Sequence, residues 1–131
     1  VSDVRFTCGL EAALFVVSGK WKPLILFHLS GGARRYGELR RMVGGVSDKV
    51  LIQQLKELQA DGAVGRNDYG EIPPRVEYSL TAFGESIVTA LSPLCEWGGR
   101  HLGEIEAIAS GRQSMREAPP PTLNTRATAL V

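Results

Sequence analysis

Lys49, Gln53 and Lys56 recur at i, i+4 and i+7. At about 100° per residue, a helix would place them on one face, with Ile52 beside them. A lysine ammonium suits a phosphate, and a glutamine amide can hydrogen-bond the edge of a base bidentately. Cations gather on both sides of this stretch. Arg34, Arg35, Arg40 and Arg41 precede it, and Arg66 and Arg75 follow it. The first four suit phosphate clamping, and the last two could reach DNA backbone or minor groove. Cys8 is a third kind of candidate. In the first turn of a helix its thiolate, the reactive form, is favoured by the macrodipole. The competing reading is inert packing, since free cysteine is among the most buried residue types. Cys95, inside an apolar helix face, reads as packing.

The elements that would position these groups can be read from patterning. Ser47 is a good helix N-cap, Asp48 suits the positive end of the dipole, and Gly62 supplies a stop. Leu51, Leu55 and Leu58 form the opposing apolar stripe. A shorter helical pattern, Tyr36–Val43, is joined to this helix by Gly44-Gly45-Val46, which gives a helix-turn-helix. Within it, Glu38 can pair with Arg41. Two strand-like runs follow, 63–68 and 75–80, with Val76, Tyr78 and Leu80 expected to face the core. Between them, Pro73 and Pro74 mark a wing tip.

Upstream, residues 1–7 read as an arm. A helix from Cys8 is expected, capped by Thr7, with Leu10, Ala13, Leu14 and Val17 as its buried stripe and Gly19 as its end. A second helix, Lys20–Leu29, tolerates Pro23 in its first turn and is dense enough in apolar residues to be the centre of the core. Trp21 reads as a core plug or, alternatively, a rim contact with DNA, and His28 as half-buried. Beyond the wing, Thr81 caps a helix carrying Phe83, Ile87, Val88 and Leu91, which Pro93 either kinks or restarts. Leu94, Cys95, Trp97, Leu102, Ile105 and Ile108 continue an apolar pattern at roughly heptad spacing. A small winged domain has no core left to cover so long a helix. Residues 85–109 are therefore read as a dimer interface centred on Leu91, Leu94, Trp97, Leu102 and Ile105. The alternative is a helix folded back over its own domain. The whole reads as α+β, mostly α: a winged helix-turn-helix spanning 8–109 with a two-stranded wing and added terminal helices, then a disordered tail over 110–131.

The 131 residues suit one domain, and a net charge of +1 would not by itself suggest nucleic acid. The distribution is more informative. Residues 19–75 carry ten basic against six acidic side chains, while the segments on either side are both net negative. No run of about 18 apolar residues exists, so no membrane span is expected. Two distant cysteines without an export signal make a disulfide framework unexpected, and the cytoplasm is the default location. There is no G-x-G-x-x-G, P-loop, H-E-x-x-H or C-x-x-C, and the histidines and cysteines are too scattered for a metal site. No enzyme, cofactor or metal is expected.

Taken in order, Cys8, Gly19-Lys20-Trp21-Lys22 with Ile25-Leu26, Arg35-Tyr36-Gly37-Glu38-Leu39-Arg40, Leu51 to Leu58, Asp61-Gly62 and Pro73 to Thr81 resemble the HxlR family of bacterial winged-helix regulators. The resemblance implies a MarR-like homodimer that binds an inverted-repeat operator in double-stranded DNA, commonly as a repressor. It also implies dimer contacts from the first helix, which here would use Leu10 and Leu14, as well as from the last. Several members sense electrophiles or oxidants through a cysteine at the position of Cys8. Family members often carry Pro after that cysteine, where this chain has Gly9, and Tyr36 replaces the commoner Phe. Nothing after Gly111 matches the pattern. A winged helix used only for protein contacts is the competing function.

Overall fold

The computed structural model describes residues 3–119, and the chain divides into two compact units between Leu94 and Cys95. Helix α1 (Gly9–Val16) is capped by Cys8 and not by Thr7. Thr7 turns its donors outward instead: its N–H and hydroxyl both donate to the Glu11 carboxylate, at 3.2 and 2.9 Å. The expected buried stripe of α1 is not buried within one chain. Leu10 and Leu14 are exposed, and only Val17, just past the helix, packs against the core.

Helix α2 (Trp21–Leu29) is central, as its apolar density predicts. Ile25, Leu26 and Leu29 are buried, and Trp21 packs at the margin of the same cluster. A two-residue strand, β1 (Arg34–Arg35), which patterning did not suggest, leads into α3 (Tyr36–Val43). Glu38 does not reach for Arg41. Its carboxylate accepts from the Arg35 N–H at 3.2 Å, because a helix N-terminus leaves backbone donors unsatisfied. Gly44 and Gly45 both take positive φ, +68° and +69°, which lets the chain reverse direction within two residues. Val46 then buries, and α4 (Asp48–Ala60) begins. Ser47 caps α4 as expected, accepting from the Val50 N–H at 3.2 Å.

Strands β2 (Val64–Asp68) and β3 (Val76–Leu80) form the wing, paired antiparallel from Val64 opposite Leu80 to Asp68 opposite Val76. β1 adds to the other edge of β3, with Arg34 opposite Tyr78 and Arg35 opposite Glu77. The central strand is therefore half-buried along its whole length. Tyr78 and Leu80 pack against the core, whereas Val76, at the far end of the hairpin, does not.

Helix α5 (Ala82–Arg100) starts on Thr81, whose hydroxyl accepts from the Gly84 N–H at 3.0 Å and donates to the Gly62 carbonyl at 2.6 Å. One side chain thus caps α5 and fastens it to the end of α4. Pro93 neither ends this helix nor restarts it. In the second unit the break falls at His101, after which α6 (Leu102–Glu117) begins. Residues 110–117 are therefore helical and not a disordered tail. The stretch Ser110–Glu117 holds no proline, and the prolines begin at 119. Residues 120–131 of the expected tail lie outside the described residues. No single helix among those described is long and apolar enough to cross a membrane.

Candidate nucleic-acid interface

Helix α4 has two faces of opposite character. Leu51, Leu55 and Leu58 are buried at 1 % exposure or less, while Lys49, Ile52, Gln53 and Lys56 are all exposed. Burial of the three leucines fixes the rotation of α4, and with it the outward direction of the other four. Two polar contacts fix its position. The Lys22 ammonium, on a side chain only 10 % exposed, sits 3.4 Å from the Glu57 carboxylate and ties α2 to α4. At the other end, Asp48 accepts from the Tyr36 hydroxyl and lies 3.3 Å from the Arg40 guanidinium, joining α3 to the first turn of α4. Partial burial of the Tyr36 phenol, then its hydrogen bond to the Asp48 carboxylate, push its pKa up to about 12. It therefore remains a donor at any physiological pH. Sequence reasoning missed both fasteners. The signal for the first was a lysine in an otherwise apolar helix, which needs a carboxylate partner.

The arginines divide into two groups. Arg35, Arg41 and Arg66 are exposed and form no ion pair among the described residues. Arg40 is engaged with Asp48. Arg34 is half-buried, its guanidinium folded over Gly31 and its Nε shielded without a partner. Arg75 stacks over the Tyr69 ring at 3.7 Å and lies 3.5 Å from Glu71, with its Nε likewise shielded. The six arginines expected to contact DNA thus differ in how far they are already engaged within the chain. Arg34 is partly covered by the turn at Gly31 without an ion partner, whereas Arg75 is held locally by Tyr69 and Glu71.

An open cleft of about 500 Å3 runs between α4 and the sheet, lined by Tyr36, Ile52, Lys56, Gln59, Arg66 and Tyr78. It brings Lys56 of the helix and Arg66 of the wing to one concavity with no carboxylate among its lining. Cys8 and Cys95 are both free thiols and both exposed, so any packing of Cys95 is not against its own chain. On the C-terminal helices Leu94, Trp97 and Leu102 are exposed, and Leu91 and Ile105 are half-buried. Trp97 and His101 stack at 4.9 Å, and the His101 Nδ1 donates to the Trp97 carbonyl at 2.9 Å. No group of three His, Cys, Asp or Glu converges among the described residues as a metal site would require.

A family model described as HxlR-like helix-turn-helix matches residues 16–106. The uncharacterized HTH-type transcriptional regulator YkvN of Bacillus subtilis (strain 168) is 47 % identical over 110 residues, covering 79 % of this chain and 93 % of that protein. Among solved structures, the redox regulator HypR in its reduced form is 38 % identical with a TM-score of 0.71, covering 76 % of this chain and 99 % of that one. The oxidized form of HypR is 41 % identical with a TM-score of 0.67, covering 71 % and 96 %.

Proposed function

The chain belongs to the HxlR-like helix-turn-helix family of transcriptional regulators, and we propose that it is a cytoplasmic repressor acting as a homodimer on an inverted-repeat operator. The observation that carries this reading is α4, whose buried leucine face and two polar fasteners hold Lys49, Ile52, Gln53 and Lys56 outward as a rigid set. In the major groove, Gln53 would read a base edge, Ile52 would make apolar contact, and the two lysines and the Ser47 end of the helix would approach phosphates. Arg35, Arg41 and Arg66 are the free clamps that would set register. Arg40 acts first through Asp48, by positioning the helix.

The residues assigned to pairing are exposed Leu10 and Leu14 on α1, with Leu91 and Leu94 on α5 and, in the second unit, Trp97, Leu102 and Ile105. Exposed Cys8 sits at the start of α1, beside Leu10, so oxidation or alkylation there would change that surface and the spacing of two readers. The likeness to the redox regulator HypR supports this part of the reading.

The test is fluorescence anisotropy with a duplex from the intergenic region beside the gene, against a scrambled duplex, over a salt series. Tight binding to the native duplex alone, weakening steeply with salt, is expected. In the Gln53→Ala protein, about 1–3 kcal/mol of discrimination at particular bases should disappear. Binding to neither duplex at low salt would favour a protein-contact module, and an unchanged sequence preference in Gln53→Ala would refute the assigned orientation. Alkylating Cys8 in a Cys95→Ser background should lower operator affinity, and no change would remove the sensing role.

A further inference from the structure

The tip of the wing presents an apolar point and no free cation. Ile72 is 98 % exposed and is followed by Pro73 and Pro74. Arg75, the cation closest to the tip, is drawn back over the Tyr69 ring and toward Glu71. Two hydrogen bonds brace the base of the turn. The Tyr69 N–H donates to the Arg75 carbonyl at 3.0 Å, and the Gly70 N–H donates to the Asp68 carboxylate at 2.9 Å. The two prolines fix φ and add no N–H, and isoleucine is stiff at χ1. A β-branched side chain is thus held outward on a preordered mount, and little further entropy is lost if it is gripped. Arg66, lower on the same hairpin, shares a cleft with Ile52 and Lys56 of α4, so the wing and the outward face of α4 open to the same side.

We propose that Ile72 is an apolar wedge that enters the minor groove of double-stranded DNA beside the site read by α4 and unstacks one base step. The inference rests on the reading of this chain as a duplex-DNA binder. Minor-groove proteins insert isoleucine, leucine, phenylalanine or proline between base steps and bend the duplex, and pyrimidine–purine steps open most easily. Ile72 therefore adds a sequence preference at a position that α4 does not touch. A protein partner fits the tip less well. The apolar surface at the tip is only a few side chains: exposed Pro73 and Pro74 follow Ile72, and Tyr69 gives its ring face to Arg75. The Glu71 carboxylate, the acidic group beside the wedge, is offset by Arg75 and repels phosphate less.

The experiment uses the full chain and duplexes enriched from a random pool by the wild-type protein, with 2-aminopurine replacing adenine at successive positions outside the enriched core. The wedge predicts a fluorescence rise at one position per half-site on binding. Ile72→Ala should abolish that rise, reduce the bend seen by gel phasing, and weaken binding about tenfold. Ile72→Lys should recover affinity at low salt without recovering the fluorescence or the bend. Unchanged melting curves are expected for both variants, because the side chain is fully exposed. Equal affinity and equal fluorescence in wild type and Ile72→Ala would overturn the wedge. Unchanged DNA binding with altered self-association would overturn it too, and would assign the tip to a protein contact. If enrichment yields no common sequence, the regulator reading fails separately, and the same variants on the unselected pool at low salt still decide whether Ile72 contributes.

Discussion

Helices α4 and α1 both carry leucines at helical spacing, yet they end in opposite states. Three leucines of α4 lie at 1 % exposure or less, while α1 buries nothing, with Leu10 at 68 %, Leu14 at 56 % and Phe15 at 65 %. The reader satisfies its apolar face inside one chain: α2, α3, the turn at Val46 and the base of the wing close around it. The terminal helix leaves its face for something else to cover. If two chains pair as proposed, folding of α4 into its core and pairing are carried by separate side chains.

The sharpest way to break that division is to truncate one leucine on each side. Leu26→Ala, in the fully buried core, should cost about 2–5 kcal/mol through lost transfer energy and an unfilled cavity. Leu14→Ala should leave the unfolding of dilute protein within about 0.5 kcal/mol, as for a surface change. Sedimentation velocity should instead show weakened self-association. A concentration-independent loss of stability in Leu14→Ala would mean that α1 packs within its own chain, and the comparison would fail.

The same contrast explains what could be read from sequence. The period of Leu51, Leu55 and Leu58, the cap at Ser47 and the alternation of β3 are local signals, and each sets its element directly. The expected burial of α1 failed because periodicity marks an apolar face without saying which chain covers it. Thr7 and Glu38 were misjudged for another reason: each had two local partners in reach, and backbone donors at a helix start decided the contest. The fates of Arg34, Arg40 and Arg75 depend on Gly31, Asp48, Tyr69 and Glu71, which become neighbours only when the turns close. Free and engaged arginines look alike in a sequence.

Gly84 tests the other boundary of the reader, where α5 leaves it. A Cβ on Gly84 would stand 2.1 Å from the Ala63 carbonyl oxygen. That oxygen also accepts from the Thr81 N–H at 3.1 Å. Gly84→Ala must therefore push backbone apart and disturb the Thr81 hook, at about 2–3 kcal/mol in urea unfolding. A change below about 0.5 kcal/mol would mean that α5 can shift freely against α4. A smaller effect is expected at the Lys22–Glu57 pair. Glu57→Gln leaves a mostly buried ammonium without its charged partner and should cost about 1–2 kcal/mol, whereas Lys22→Met should be nearly neutral. The reverse order would show that the pair stabilises the core and does more than fix the angle of α4.

The smallest effect belongs to the hydroxyl that distinguishes Tyr36 from phenylalanine. Its bond to Asp48 is half-exposed, so Tyr36→Phe should lower stability by about 1 kcal/mol at neutral pH. The pH dependence gives the stronger test. The folded-state pKa is raised from 10.0 to about 12, so between these values the native chain holds a proton that the unfolded chain has released. Wild-type stability must then fall as pH rises through this window, and the advantage over Tyr36→Phe seen at neutral pH should be lost within it. A difference that stays constant from pH 10 to 12 would show that the folded chain holds the Tyr36 proton no more tightly than the unfolded one, so the bond to Asp48 would not fix this end of α4. Asp48 would then be held by Arg40 alone, and the reader would be fixed at that end by one contact, not two.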